Sequence, residues 1–430
     1  MTDKHMTSNE KAWEKLFKEY DILGCVENKG FFKISATQIK KYREPRLMAK
    51  FDHSINLPKL FSNNQLTILP ISRGDYIISH FDAYHEFEPN NSPIAKISIP
   101  EYIQSLDPNN ITSEAIALNC ALVSGIVSDF LDDEQIVPTV SGRMGSGLFN
   151  FQIGNLKSNT LSTVCVNNSQ IEIDGAYEGI ESLSLFEAKR DLSDDFLVRQ
   201  LYYPYRTWLN KISKPIRPIF LIYSNGIYRV YEYEFTDPEN YSSISLVKQK
   251  NYSIEDTSID VRDIQDILNK CNSSDEPPIP FPQADIFDRV INLCELLYER
   301  NLNRNNITEQ YAFDVRQTSY YTDAARYLGL VEKINTNNVQ TYYLTEKAKK
   351  ILQMNYKYRQ LAFCDCILSH KVFSKTLQKY FSTGVMPNKE QIVKIMKESS
   401  LYHINSNTTY ERRASTIKGW INWIINLIND

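Results

Sequence analysis

The spacing of apolar residues changes period several times along the chain, and each change marks an element. Residues 10–20 read as a first helix, a turn follows at Asn28-Lys29-Gly30, and SATQ at 35–38 is a capping-box helix start. QLTILPI and DYIISHF then read as strands. Between 113 and 131, Ile116, Leu118, Leu122, Val123, Ile126, Val127 and Phe130 recur at helical spacing. SGRMGSGLFNFQIG, LSTVCV, IEID and SLSLFEAK follow as short strands, and residues 194–208 as a polar helix. PIFLIYSNGIYRVYEYEF is a hairpin, because Asn225-Gly226 suits the left-handed turn that joins twisted strands. Helix, strands, helix and two more strands predict a mixed sheet with helices packed on it.

CNSSDEPPIPFPQ, residues 271–283, holds four prolines and little periodicity, so it reads as a linker. Beyond it the pattern is helical at 285–301 and 307–313. DVRQTSYYTDAARYLGLV then predicts a helix with Asp314 and Gln317 as a reciprocal capping pair and Gly329 at its end. VEKINTNNVQTYYLT reads as two strands about an Asn-rich turn. Helices are expected near 358–367, 373–380 and 389–399, and a last one follows TTYERRAST, with Ser415 or Thr416 as its cap. The domain expectation is 1–110, α+β; 111–270, a mixed sheet with helices packed on it; 271–283, linker; 284–355, three helices and a hairpin; and 356–430, a second helical domain.

Composition narrows the class. With 42% hydrophobic and 23% charged residues the 430-residue chain can bury several cores, and it has no apolar signal region or membrane-length run, so a cytoplasmic protein is expected. Seven scattered cysteines form no disulfide framework, and neither they nor the six histidines show zinc spacing. The net charge of −4 is uneven. Residues 281–430 carry 20 Lys and Arg against 14 Asp and Glu, a surplus of six cations that leaves the first 280 residues at −10. An acidic front and a basic back suggest different jobs.

The chemistry concentrates in IEIDGAYEGIESLSLFEAKRD, residues 171–191. Alternation sets Glu172 and Asp174 on one face of the first strand, and Glu187 and Lys189 together on the second. Carboxylates suit Mg²⁺, a hard cation that leaves positions for phosphate, and an adjacent lysine can orient water or stabilise developing charge. A second Glu-x-Lys, Glu27-Asn28-Lys29, lies at a turn with no acid-bearing strand before it. The Gly142–Gly147 run lacks the Lys-Ser/Thr of a nucleotide-binding loop but carries Arg143, suited to phosphate or a base edge.

Asp174 and Glu187-Ala188-Lys189, preceded by an amphipathic helix and followed by a helix and further strands, resemble the PD-(D/E)XK nuclease superfamily, most closely its type II restriction endonucleases. The resemblance covers roughly residues 110–250 and has Ile173-Asp174 where the family motif has Pro-Asp. It implies that Asp174 and Glu187 bind Mg²⁺ and that Lys189 assists the attacking water. Gln200 opens a helix similar to one some members set beside the site, although Tyr205 falls one residue off the recombination-nuclease spacing. The back half resembles a winged helix-turn-helix. Arg316, Gln317, Ser319 and Tyr320 at the start of its third helix, with Arg412 and Arg413 near the C-terminus, are the candidate DNA contacts.

The fold expected is therefore a multi-domain α/β (α+β) chain, with a mixed-sheet, restriction-endonuclease-like core and C-terminal winged helices. The function expected is Mg²⁺-dependent, sequence-specific cleavage of double-stranded DNA by a homodimer, without an organic cofactor or a membrane partner. The alternatives are a non-catalytic DNA-binding regulator, or a repair, resolving or RNA-cutting nuclease with the same core.

Overall fold

The computed structural model describes residues 6–90, 92–336, 339–404 and 406–429. It is a mixed α/β chain with several separate sheets and four hydrophobic cores. The first core belongs to an N-terminal unit. Helix Ser8–Tyr20 opens on a capping box between Thr7 and Glu10 and buries Trp13, Leu16 and Phe17 against Phe61. Beside it lie helix Ile22–Lys29, ended by left-handed Gly30, and a sheet in the order Phe32–Ser35, Asp75–Ser79, Thr67–Pro70. Ser35 and Gln38 form the expected capping box of helix Ala36–Lys40.

A seven-stranded sheet forms the centre, in the order Ile94–Lys96, Ile244–Ser253, Ile227–Phe235, Ile216–Ser224, Leu183–Lys189, Gly175–Glu178, Val137–Pro138. Strand Leu183–Lys189 runs parallel to Ile216–Ser224, so the chain between them must cross over, and helix Arg199–Leu209 makes that crossover. Both faces of Leu183–Lys189 are covered, which explains its near-continuous apolar sequence. Leu183 and Leu185 face a core with Leu201, Tyr202 and Tyr205 of the crossover helix. Phe186 and Ala188 face the opposite core with Leu118, Ala121, Val127 and Phe130. The Asn225-Gly226 turn has φ of 53° and 77°, as its sequence predicts.

Several boundaries differ from the periodicity. The pattern at 113–131 is two helices, Glu114–Val123 and Ile126–Leu131, separated by Gly125 at φ 87°. The segment at 194–208 begins as strand Asp195–Leu197, paired with Tyr84–Glu86, and its helix is largely buried. Strands Tyr84–Glu86 and Ile94–Lys96 bring residues before 110 into the central fold. IEID and the strand after it are also separate: Gln170–Ile173 pairs with Gly142–Gly145, and Gly175–Glu178 joins the large sheet. The chain changes sheets at Asp174.

The C-terminal segment shares one core from Ile259 to Ile424. Phe281 of the proline-rich segment is inserted in it, against Tyr327 and Phe373. Helices Phe287–Glu299, Arg304–Gln310 and Val315–Tyr327 precede strands Val331–Thr336 and Val339–Leu344, with Leu302–Asn303 as a third strand; the Asn337-Asn338 turn lies outside the described residues. The second helix starts earlier than its apolar pattern suggests, because Asn303 caps it. Asp314 caps the third by accepting from the Arg316 and Gln317 amides, but Gln317 does not reciprocate, and its Oε1 is buried without a partner. The last helix, Asn407–Asn426, is capped by Ser406, so Arg412 and Arg413 lie inside it and Thr416 instead bonds Asp285.

This unit grips the sheet through helix Phe287–Glu299. Glu295 accepts from Ser224 Oγ at 2.6 Å and the Asn225 amide at 2.8 Å, while Asn292 bridges the Leu192 amide and the Arg190 carbonyl. The seven cysteines are free, and no described helix is long and apolar enough to cross a membrane.

Candidate active site

In the antiparallel pairing of Gly175–Glu178 with the Leu183–Lys189 strand, Gly175 lies opposite Phe186. One more step sets Asp174 opposite Glu187, at the point where the chain turns out of the sheet. Asp174 Oδ2 accepts the Ala188 amide at 2.8 Å, which fixes the acid beside the strand. Glu187 and Lys189 share a face, and Lys189 Nζ donates to Glu187 Oε1 at 2.5 Å. The crossover helix returns over the same strand end, and Gln200 in its first turn donates to Glu187 Oε1 at 2.6 Å. Gln200 Oε1 is buried without a partner. The sequence-predicted trio is thus brought together, with Gln200 as a fourth member.

The electrostatics follow from burial. Glu187 is 8% exposed, and burial pushes its carboxyl up to about 7 against the opposing pull of Lys189, with Asp174 adding to the rise. Burial works against charge on Lys189 too, but Glu187, Asp52, Glu114 and Asp174 outweigh it and hold the ammonium well above its ordinary value. Glu114, in the first turn of its helix, is raised by desolvation, opposed by Lys189 and reinforced by Asp174. One ammonium therefore faces four acids.

Asp52, His53, Glu114 and Asp191 are charged neighbours of the trio that sequence reasoning missed. His53 is 3% exposed, with Nδ1 2.7 Å from the Asp195 carbonyl and Nε2 3.0 Å from Asp191 Oδ2. A carbonyl can only accept, so Nδ1 carries a proton, and a second proton on Nε2 satisfies the carboxylate. Burial opposes that charge, but Asp191 outweighs it and raises the imidazole, while His53 overcomes burial of Asp191 to lower that acid. For Asp52, Lys189, Lys50 and His53 together overcome burial and hold the carboxyl below its usual range. Nothing in FDHSIN signals this role, since the segment meets the site only through the tertiary fold. Glu114 follows the Ser113 cap and reads in sequence as an ordinary first-turn acid.

Asp174 Oδ2 and Glu187 Oε1 are engaged, and the other oxygen of each has no hydrogen-bond partner among the described residues. Those oxygens suit a hard cation, and a carboxylate whose ionisation is penalised by burial gains from one. Among the described residues no group of three His, Cys, Asp or Glu is arranged to hold a metal. Two carboxylates, with water and phosphate oxygens completing the shell, are the usual Mg²⁺ arrangement.

The other candidates make no hydrogen bond to this trio among the described residues. Arg143 is exposed and pairs with Glu172 across the small sheet at 3.1 Å. Arg316 is exposed in the first turn of its helix, and Ser319 and Tyr320 are half-buried. Arg412 is exposed; Arg413 bonds Gln283, and burial and Arg412 push its guanidinium down against the pull of nearby acids that include Asp323 of the third helix, which lies near the last helix. Glu27 and Lys29 are exposed on the helix Ile22–Lys29.

Three family models match, each described as a domain of unknown function: DUF6996 over residues 10–78, DUF6997 over 79–253 and DUF7226 over 289–429. The middle match holds Glu114, Asp174, Glu187, Lys189 and Gln200, whereas Asp52 and His53 come from the first. A Plasmodium falciparum protein is 30% identical over 109 residues, which is 25% of this chain and 2% of that protein. The chain therefore spans a small fraction of the relative's length. No solved structure matches.

Proposed function

We infer that the chain is a Mg²⁺-dependent endonuclease of the PD-(D/E)XK kind that cuts double-stranded DNA, as a type II restriction enzyme does. The observation that carries this is the bonding of Lys189 and Gln200 to Glu187, a buried carboxyl pushed up to about 7, with Asp174 held beside it by the Ala188 amide. Asp174 and Glu187 would hold the Mg²⁺, which supplies Lewis acidity at the phosphoryl oxygen and acidifies water. Lys189 is held charged, so it acts as a donor that orients the water and stabilises charge on the phosphoryl oxygens, not as a proton acceptor. Gln200 positions Glu187. Water oxygen bonds to phosphorus, the bond to the leaving sugar oxygen breaks, the water proton passes to solvent, and the leaving oxygen takes up a proton from solvent to become a hydroxyl.

Three features support the rest of the reading. The parallel crossover with helices on both faces of the sheet suits a restriction-endonuclease-like core over most of the expected 111–270 segment, extended by strands Tyr84–Glu86 and Ile94–Lys96 and ending before Ile259, which belongs to the C-terminal core. Three helices followed by a hairpin suit a winged helix-turn-helix over 284–355, whose third helix starts with Arg316, Gln317, Ser319 and Tyr320. The surplus of cations after residue 281, with Arg412 and Arg413 beside that helix, suits a polyanion. A homodimer in the cytoplasm, one site per strand of a palindrome, completes the proposal.

Incubation of the full chain with phage and supercoiled plasmid DNA, with Mg²⁺ or with EDTA, tests it. Discrete fragments that need Mg²⁺ and vanish in Asp174→Ala and Lys189→Ala are expected. Undiminished cleavage by either variant overturns the site, and intact DNA at every enzyme and Mg²⁺ concentration overturns the nuclease.

A further inference from the structure

Residues 135–171 hold no aspartate or glutamate, although the chain as a whole has 52 in 430 residues. They carry Arg143 and Lys157, five asparagines and three glutamines instead. An acid-free stretch in the strongly acidic front of the molecule, ending three residues before Asp174, is compatible with a polyanion laid along it.

Its fold gives that stretch a presenting face. Strands Leu148–Gly154 and Leu161–Asn167 form an antiparallel two-stranded ribbon in which Asn150 pairs with Cys165 and Gln152 with Thr163. Alternation sends Phe149, Phe151, Ile153, Val164 and Val166 inward, where Phe149 and Phe151 pack on Tyr202, Tyr203 and Tyr241. Asn150, Gln152, Thr163 and Cys165 are exposed on the other side. The ribbon is continuous with the site: the chain leaves Asn167, forms strand Gln170–Ile173 and reaches Asp174, while Arg199, next to Gln200, donates to the Gln170 carbonyl at 2.9 Å. Of the acids beside this surface, Glu172 is paired with Arg143, and Glu239 lies along the outer edge of Leu148–Gly154, where its carbonyl accepts the Gln152 amide at 2.7 Å.

We propose that this ribbon enters the major groove of duplex DNA and that Asn150 and Gln152 read base edges there, making it a specificity element separate from the C-terminal helices. The proposal rests on the nuclease reading and names the surface by which that enzyme chooses its site. Two strands lie about 5 Å apart, and the major groove, about 12 Å wide, admits such a ribbon. Asparagine and glutamine amides match the N6 donor and N7 acceptor of adenine, and threonine can meet the thymine methyl. The aromatic packing beneath holds the backbone rigid, so the amides meet the groove without loop ordering.

The test selects from randomised duplex DNA with the full chain carrying Asp174→Ala, alone and combined with Asn150→Ala/Gln152→Ala. The parent is expected to enrich a defined sequence. The combined variant, with an unchanged melting temperature, should lose preference at one or two A·T positions and bind the parent's sequence on the order of 10- to 100-fold more weakly. Asn150→Asp should weaken binding further by repelling phosphate. An unchanged sequence and affinity in all variants overturns the ribbon proposal and leaves the nuclease standing. A parent that enriches no duplex, or binds only single strands or RNA, overturns the proposal together with the duplex reading.

Discussion

Replacing Glu187 by glutamine removes a charge that the fold pays to bury and keeps the shape of the side chain. An ordinary glutamate titrates at 4.5, and burial raises Glu187 to about 7. The native state therefore binds more protons than the unfolded chain between those values, and stability falls as pH rises through the window. Ionisation at pH 8 costs up to roughly 3 kcal/mol relative to pH 4. Glu187→Gln has no such titration. Its melting temperature in EDTA should gain on the wild type as pH goes from 4.5 to 7.5 and then level off, whatever constant offset comes from the altered contact with Lys189. At about 2–4 °C per kcal/mol for a domain of this size, the relative gain is several degrees. Mg²⁺ at pH 8 should raise the melting temperature of the wild type and leave the variant nearly unmoved. Thermal melts of both proteins at half-unit pH steps, with EDTA and with Mg²⁺, provide the measurement. Parallel pH profiles would refute the burial argument, and an equal Mg²⁺ response in both proteins would refute Glu187 as a ligand.

Two further perturbations test the architecture around the site. Glu295→Ala leaves the Ser224 hydroxyl and the Asn225 amide without their charged acceptor, and should cost roughly 2–4 kcal/mol and speed hydrogen exchange at the 224–227 turn; protection equal to wild type would show that this clasp does not dock the C-terminal unit. Asp314→Ala removes a cap that accepts two amides at 2.6 Å and should lower stability by about 1 kcal/mol, with fraying of Val315–Tyr327 visible by exchange; an unfrayed first turn would contradict the capping role.

Local pattern by itself determined the elements whose causes are local. The Thr7 and Ser35 caps, the Asn225-Gly226 turn and the helix over 315–327 form where their residues say, because each depends on backbone preference and a hydrogen bond within a few residues. Asp174, Glu187 and Lys189 were legible for the same reason: adjacent antiparallel strands need only their register to bring two acids together. The tertiary structure decided what burial and crossover control. Gln200 reaches Glu187 because a parallel strand pair forces the helix back over the sheet, and Asp52 and His53 arrive from a segment more than a hundred residues away. The raised pKa of Glu187 belongs to this class too, since it comes from two cores closing over one strand and no single residue of the chain encodes it.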